Sequence, residues 1–190
     1  MPVKNFVPAA AAALLSAALA TAPATAQQSA SLASDSIFIQ TASSVGLLQV
    51  KLGKLAEKKA SNPAVVEFAK RMITDYSKVN EEFAAAAKQA AFPAPVILRK
   101  HQQIFDRFNS MGRSSFEKEY MAEMVKQHRE EVALFQRESE KGRVQSLKQV
   151  AARMLPDLQQ RLSVTTQTAE SIGAQVTASA GETGQGLDGK

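Results

Sequence analysis

Two histidines and a scattering of carboxylates carry what chemistry this chain offers. His128 and Glu131 stand three residues apart, a spacing that puts both side chains on one helical face, a turn apart and able to reach one site. A di-metal carboxylate centre inside a helical bundle needs more: carboxylates from all four helices and two Glu-x-x-His pairs. Neither His101 nor His128 has a Glu three residues before it. One His and one Glu are too few for a tight transition-metal site, so His128 and Glu131 stand only as candidate ligands for iron, manganese or zinc. The plainer reading of His128 is a buried imidazole hydrogen-bonded to a neighbour.

Other polar residues fall at similar depth. Tyr76 and Asn80 face inward on their helix, Gln49 lies on a shoulder, and Arg161 lies at the edge of an inner face. If their heights coincide, Gln49, Tyr76, Asn80, His128, Glu131 and Arg161 form a polar layer across the middle of the molecule. Arg161 would supply a fixed positive charge, Glu131 its counter-charge, and the others hydrogen bonds. Buried polar groups cost free energy unless satisfied, so such a layer specifies helix register more than it adds stability. The alternative has Arg161 and Glu131 reaching water independently. His101 follows Arg99-Lys100 and reads as a surface residue. Met121, Met124 and Met154, with Met72 nearby, fit core filling better than soft-metal binding. There is no Gly-rich phosphate loop, no nucleophile elbow and no pair of catalytic carboxylates, so the chain reads as a non-enzyme.

The elements that position these residues are helices. Residues 35–60 put Phe38, Ala42, Val45, Leu48, Leu52, Leu55 and Ala56 on one stripe, with Asp35 as a plausible N-cap. Ser61-Asn62-Pro63 ends this helix and starts the next, Asn62 capping and Pro63 taking the first helical position. The second runs to about Ala90 with Val66, Ala69, Ile73, Tyr76, Asn80, Phe83, Ala87 and Ala90 inward. Pro93 and Pro95 stop it. Leu98 to Asn109 reads as a short basic helix broken at Gly112. Ser114-Ser115-Phe116-Glu117 reads as a capping box for a third long helix that ends at Gly142, its inner face Met121, Met124, Val125, His128, Val132 and Phe135. The fourth spans about Val144 to Ile172, with Leu147, Val150, Ala151, Met154, Leu158, Leu162 and Thr165 inward and a kink expected at Pro156. Tight turns make two antiparallel hairpins. A 28-residue helix is about 42 Å long. The link between hairpins offers about 23 Å of extended chain plus about 18 Å of helix, enough to cross the whole length. The expected fold is an all-α, ferritin-like four-helix bundle with a long helical crossover between helices 2 and 3.

Composition bounds the rest. The chain has 190 residues, 23 Lys and Arg against 18 Asp and Glu, and no cysteine. Disulfides, thiol chemistry, Cys-ligated clusters and a lipoprotein anchor are thereby excluded. The basic excess is spread out, densest at Arg99, Lys100, Arg107 and Arg113, without the single basic face and interleaved aromatics of a nucleic-acid binder. Weak attraction to anionic envelope polymers or lipid is compatible with it. Lys4, the apolar run Pro8 to Ala20 and Ala24-Thr25-Ala26 have the layout of a cleavable signal peptide over residues 1–26. The mature protein is then expected in the periplasm, with residues 27–34 a disordered lead, 35–172 the bundle and 173–190 a disordered tail. No later segment is long and apolar enough to span a bilayer.

The stretches GLLQVKLGKLAEKKA (Gly46 to Ala60), VVEFAKRMITDYSKVN (Val65 to Asn80), YMAEMVKQHREEVALF (Tyr120 to Phe135) and MLPDLQQRL (Met154 to Leu162) together resemble the bacterial domain-of-unknown-function family numbered 4142. The resemblance covers roughly Asp35 to Ile172. It implies an exported, ferritin-like four-helix protein of the envelope or outer membrane. It also implies four ligand positions: a Glu in the first helix, a His after the Asp of the second, a His in the third and a His after the Leu-Pro of the fourth. Here those positions hold Gln49, Tyr76, His128 and Arg161, so three of four depart. The resulting expectation is a non-enzymatic envelope interaction or stress-linked module with a degenerate metal site, its partner another protein or envelope component or a second copy of itself. The alternative is a periplasmic metal-binding or redox protein using His128 and Glu131.

Overall fold

The structure, a computed structural model, describes residues 24–89 and 91–176, with side chains from Ser34 onward. It is all helical: α1 (Ala24–Lys59), α2 (Pro63–Gln89), α3 (Arg99–Ser110), α4 (Arg113–Lys141) and α5 (Gln145–Ser171), with no strand among the described residues. Helix α1 starts at Ala24, so residues 27–34 are helical rather than an irregular lead. Most of the expected leader, residues 1–23, and the tail from residue 177 onward lie outside the described residues.

The direction of each helix follows from which residues meet. In α1 and α2, Gly46 lies against Asn80 and Gly53 against Ile73, so the two run antiparallel. A Cβ at Gly53 would come 2.8 Å from the Ile73 side chain and 3.0 Å from the Ala69 carbonyl, so this glycine sets how closely the two helices approach. Glu82 meets Arg153 and Asp75 meets Arg161, making α2 and α5 antiparallel. Phe68 meets Tyr120, Tyr76 meets Glu131 and Phe83 meets Phe135, so α2 and α4 run the same way. Two helices consecutive among the long ones can be parallel only if the link between them returns along the molecule. Helix α3 does this beside α1. Ser44 meets His101, Lys51 meets Gln102, and the Lys59 ammonium donates to the carbonyls of Phe108, Asn109 and Met111.

Two helix starts are held differently from the sequence reading. Glu117 does not close a capping box on Ser114. Gly112 is the N-cap of α4, and the Glu117 carboxylate accepts from the backbone N–H of Ser61 (2.5 Å) and Asn62 (2.7 Å), pinning the α1–α2 turn. Those N–H donors hold its carboxyl below the usual range. Asp35 lies inside α1 and caps a different helix: it accepts from the N–H groups of Arg143 and Val144 at the entry to α5. Each carboxylate satisfies orphan donors on a distant segment, and such a pairing has no local sequence signature. Asn62 behaves as read, its Oδ1 accepting from Ala64 N–H at 2.9 Å, with Pro63 opening α2. Pro156 leaves the Ala152 carbonyl without a helical donor; both residues are exposed, so water can take that place, and α5 continues through.

Burial follows the sequence stripes on α1 and α5 and shifts on the others. On α2 the buried line is Val65, Phe68, Ala69, Met72, Tyr76, Val79, Phe83, Ala86 and Ala87, so Val66, Ile73 and Asn80 sit at its edge; Ala90 lies outside the described residues. Val132, Val150 and Leu162 are likewise only partly covered. Helix α4 is buried more broadly, adding Phe116, Tyr120, Glu123, Gln127, Glu131 and Glu138: Phe108 of α3 lies against Phe116 and Tyr120 and Arg107 against Glu123, at 2.6 Å, Tyr76 of α2 against Glu131, and Asp35 of α1 against Glu138.

Helices α2 and α5 end in the same hydrogen-bond pattern. Gly173 has φ +67, donates to Glu170 C=O (3.0 Å), and Ala174 donates to Ala169 C=O (2.9 Å). This is a Schellman end with glycine at the left-handed position. At α2 the equivalent bonds are Ala91 to Lys88 and Phe92 to Ala87, but the left-handed residue is Ala91, φ 57. An alanine there carries a steric penalty of about 1 kcal/mol. Ala91→Gly is therefore expected to raise stability by about 0.5–1 kcal/mol, read as a higher urea midpoint; a lower midpoint would contradict the left-handed end.

Candidate functional site

The six sequence candidates divide into a connected group and two isolated residues. Tyr76 is wholly buried, and its hydroxyl donates to Glu131 Oε2 at 2.5 Å across the α2–α4 interface. The Arg161 guanidinium from α5 lies 5.2 Å from the Tyr76 ring centre. The His128 ring, one turn from Glu131, is 6.1 Å from the same ring. Two other helices, α4 and α5, thus converge on Tyr76 of α2.

Each of these groups has a defined role. His128 Nδ1 lies 2.8 Å from the Met124 carbonyl, so its hydrogen is on Nδ1 and Nε2 presents a lone pair; Nε2 has no partner. Burial, and secondarily the Arg161 charge, lowers its pKa to about 4, while the Met124 carbonyl acts the other way, so the ring is neutral at pH 7. Burial raises Glu131 to about 7, with the Tyr76 hydroxyl and Arg161 opposing. Burial, then the neighbouring Glu131 carboxylate, pushes the Tyr76 hydroxyl well above its ordinary range. Thr165, one turn after Arg161, donates to the Arg161 carbonyl at 2.7 Å and sits 3.4 Å from His128 Nδ1.

The Arg161–Glu131 ion pair is not what forms. Arg161 pairs with Asp75, its Nε 3.6 Å from Oδ2, at the half-covered α2–α5 groove. Asp75 immediately precedes Tyr76, so on α2 it points about 100° away, toward α5 rather than α4. Gln49 is buried completely rather than on a shoulder, and neither of its amide atoms has a partner. Asn80 packs over Gly46, its Oδ1 sealed and unpartnered. Neither is hydrogen-bonded to the Tyr76–Glu131 pair. His101, read as a surface residue, is 3% exposed and bonded to Ser44.

This donor set does not fit a di-metal centre. Among the described residues no three His, Cys, Asp or Glu side chains gather as a metal would need. His128 Nε2 and Glu131 Oε1 are free, but one Glu131 oxygen is taken by Tyr76, Gln49 offers only a neutral amide, and Arg161 brings a permanent positive charge toward the place a cation would occupy.

Fold and site together define an all-α protein in which Tyr76 of α2 and Glu131 of α4 share a buried hydrogen bond beside Arg161 of α5. The chain belongs to the family described as Domain of unknown function (DUF4142), which matches residues 20–168. Comparison with curated proteins and with solved structures finds no match.

Proposed function

We propose that this is an exported, periplasmic protein of the cell envelope, a ferritin-like four-helix bundle that works as a non-enzymatic interaction or stress-linked module and not as a metal enzyme. The signal-peptide layout of residues 1–26 supports export. The parallel course of α2 and α4 with a helical link beside α1 supports the ferritin-like arrangement. No described helix is long and apolar enough to cross a membrane. A second copy of the chain or another envelope component is the expected partner.

The observation that carries the non-metal reading is the Tyr76–Glu131 hydrogen bond beneath the Arg161 guanidinium. A tyrosine donor occupies the carboxylate, and a fixed cation stands beside it. Metal analysis of the purified protein is expected to find less than about one-tenth equivalent of iron, manganese or zinc. Stoichiometric metal that is lost in His128→Ala would replace this reading with a metal-binding one.

A further inference from the structure

An open groove of about 680 Å³ lies on the outer side of the α1–α2 pair, where the link to α3 passes. Its wall is largely apolar: Leu47 and Val50 of α1 with Pro95, Val96 and Ile97 of the link. Pro93 and Pro95 keep the link extended, and Val96 stands out of it 60% exposed. The one charged residue in the wall is Lys51, its ammonium held by Gln102 at 2.8 Å above the Phe105 ring. The two helices extend this bias. On α1, steps of four, three and four carry the face from Leu47 through Lys51 and Lys54 to Lys58. On α2, the side that presents Ser77 to the groove continues to Lys70 in one direction and to Glu81, Ala84 and Lys88 in the other. Lys54, Lys58, Lys70 and Lys88 are exposed, and their ammonium groups have no partner among the described residues. Five lysines therefore share this face with Glu81. Glu57 and Asp106 stand at its borders, the latter already accepting from Gln102 at 2.7 Å.

From Lys70 to Lys88 the charged row runs about 27 Å along α2, at 1.5 Å per residue, with the apolar groove midway. Single cations spread over that length do not enclose one small anion. They match negative charge distributed over a plane. A soluble polyanion would meet the lysines and leave Val96 in water. At a bilayer both parts are used: apolar side chains enter the boundary between headgroups and acyl chains, and the long lysine side chains hold their charges at phosphate level. We propose that the α1–α2 face docks on the surface of an anionic lipid bilayer. Pro95, Val96 and Ile97 enter the interface, and Lys54, Lys58, Lys70 and Lys88 lie against lipid phosphates. This deepens the envelope reading by naming the bilayer as the partner, yet vesicle binding does not depend on the protein's address in the cell. Loss of one reading leaves the other standing.

The test is co-sedimentation of the purified protein with vesicles of phosphatidylglycerol and phosphatidylcholine, and with vesicles of phosphatidylcholine alone. Binding to the anionic vesicles is expected to be at least about tenfold stronger, and to fall at least about tenfold between about 50 and 500 mM NaCl. Lys54→Gln, Lys58→Gln and Lys70→Gln in one chain should weaken it at least about tenfold, since each lysine near such a surface is worth about fivefold. Val96→Ser leaves the charge unchanged and should weaken it about fivefold. All four positions are exposed, so the core is untouched, and circular dichroism checks the helical content. Every variant keeps the parent's N-terminus, so residues 1–26 contribute equally to each. Equal binding to uncharged vesicles would overturn the proposal, as would undiminished binding in the triple lysine variant with helical content preserved. So would unchanged vesicle binding in Val96→Ser together with equally tight binding of sodium polyglutamate, which would assign the face to a soluble polyanion.

Discussion

Phe135→Ala is expected to lower the stability of the fold by about 3–5 kcal/mol. Phe135 on α4 is fully buried and meets Phe38 of α1 at 5.1 Å between ring centres and Phe83 of α2 at 5.7 Å, both edge to face; Phe38 and Phe83 are themselves 6.2 Å apart. One ring from each of three helices thus meets the other two. Removing the α4 ring deletes two favourable aromatic contacts, each worth about 0.5–1.5 kcal/mol beyond area, and leaves a void bounded by helices held apart elsewhere. At one end Asp35 of α1 is fixed to the α4–α5 turn, and at the other Lys59 of α1 to the α3–α4 turn. The helices cannot close on the space, so the cavity term is retained nearly in full. Phe135→Leu, which keeps most of the volume, should cost under about 2 kcal/mol. Urea unfolding followed by circular dichroism measures both. A loss below about 1 kcal/mol for Phe135→Ala would mean that the three rings do not meet.

The stripes that place these rings were legible because helical periodicity reports which residues share a face. Phe38, Leu48 and Leu52 on α1 and Leu147, Met154 and Leu158 on α5 are buried as their spacing predicts. On α2 the spacing allows two neighbouring phases, Val66–Ile73–Asn80 and Val65–Met72–Val79, and the second is buried. What selects it is the partner: α4 brings Tyr120, His128, Glu131 and Phe135 against α2, and Phe68, Tyr76 and Phe83 must face them. Periodicity within one helix carries no information about the side from which another helix arrives. The same limit hid the long-range caps. Asp35 and Glu117 look like caps of their own helices, and both satisfy backbone donors on segments brought near only by folding.

The candidate site was legible in the same partial way. Tyr76, His128 and Glu131 meet because inward positions at one height on adjacent helices must meet. Arg161 reaches the layer but gives its charge to Asp75, because an edge position leaves a long side chain free to choose the carboxylate in the more hydrated groove. Gln49 lies between Gly46 and Gly53, the two residues through which α1 approaches α2. That close approach buries Gln49 without a partner, and only interhelical distance, not sequence, decides it. His101 departs from expectation for a related reason: its basic neighbours Arg99 and Lys100 suggest solvent, yet α3 lies down on α1 and turns one side of the helix inward.

Changing pH should separate the Tyr76–Glu131 pair from the rest of the fold. In the folded protein burial raises Glu131 to about 7, against an ordinary value of 4.5. The native state therefore keeps a proton that the unfolded chain releases across that interval. Its stabilising contribution is full below about pH 4.5 and is lost as pH rises through 7, a loss on the order of 3 kcal/mol for a fully buried group. Glu138 shifts in the same direction, to about 7, by burial and by the neighbouring Asp35. The histidines act oppositely. His101 and His128 are neutral in the fold, lowered to about 4 chiefly by burial, so their contribution is present above pH 6.5 and is lost as pH falls toward 4. Between about pH 4.5 and 6.5 the two carboxyls and the two histidines act in opposite directions and nearly cancel, so stability should be level there, fall below that interval through the histidines and fall above it through Glu131 and Glu138. Glu131→Gln retains a carbonyl oxygen to accept from Tyr76 and cannot ionise. Without the Glu131 proton the two histidines are only half offset, so the variant should lose stability relative to the parent as pH falls from 7 to 4.5 and gain on it as pH rises, by on the order of 3 kcal/mol across that interval, making it at least as stable as the parent at pH 8.5. Urea midpoints at pH 4.5, 6, 7 and 8.5 for both proteins measure this. Parallel alkaline limbs would mean that the Glu131 carboxyl ionises without cost, which a residue sealed between α2 and α4 beneath Tyr76 cannot do.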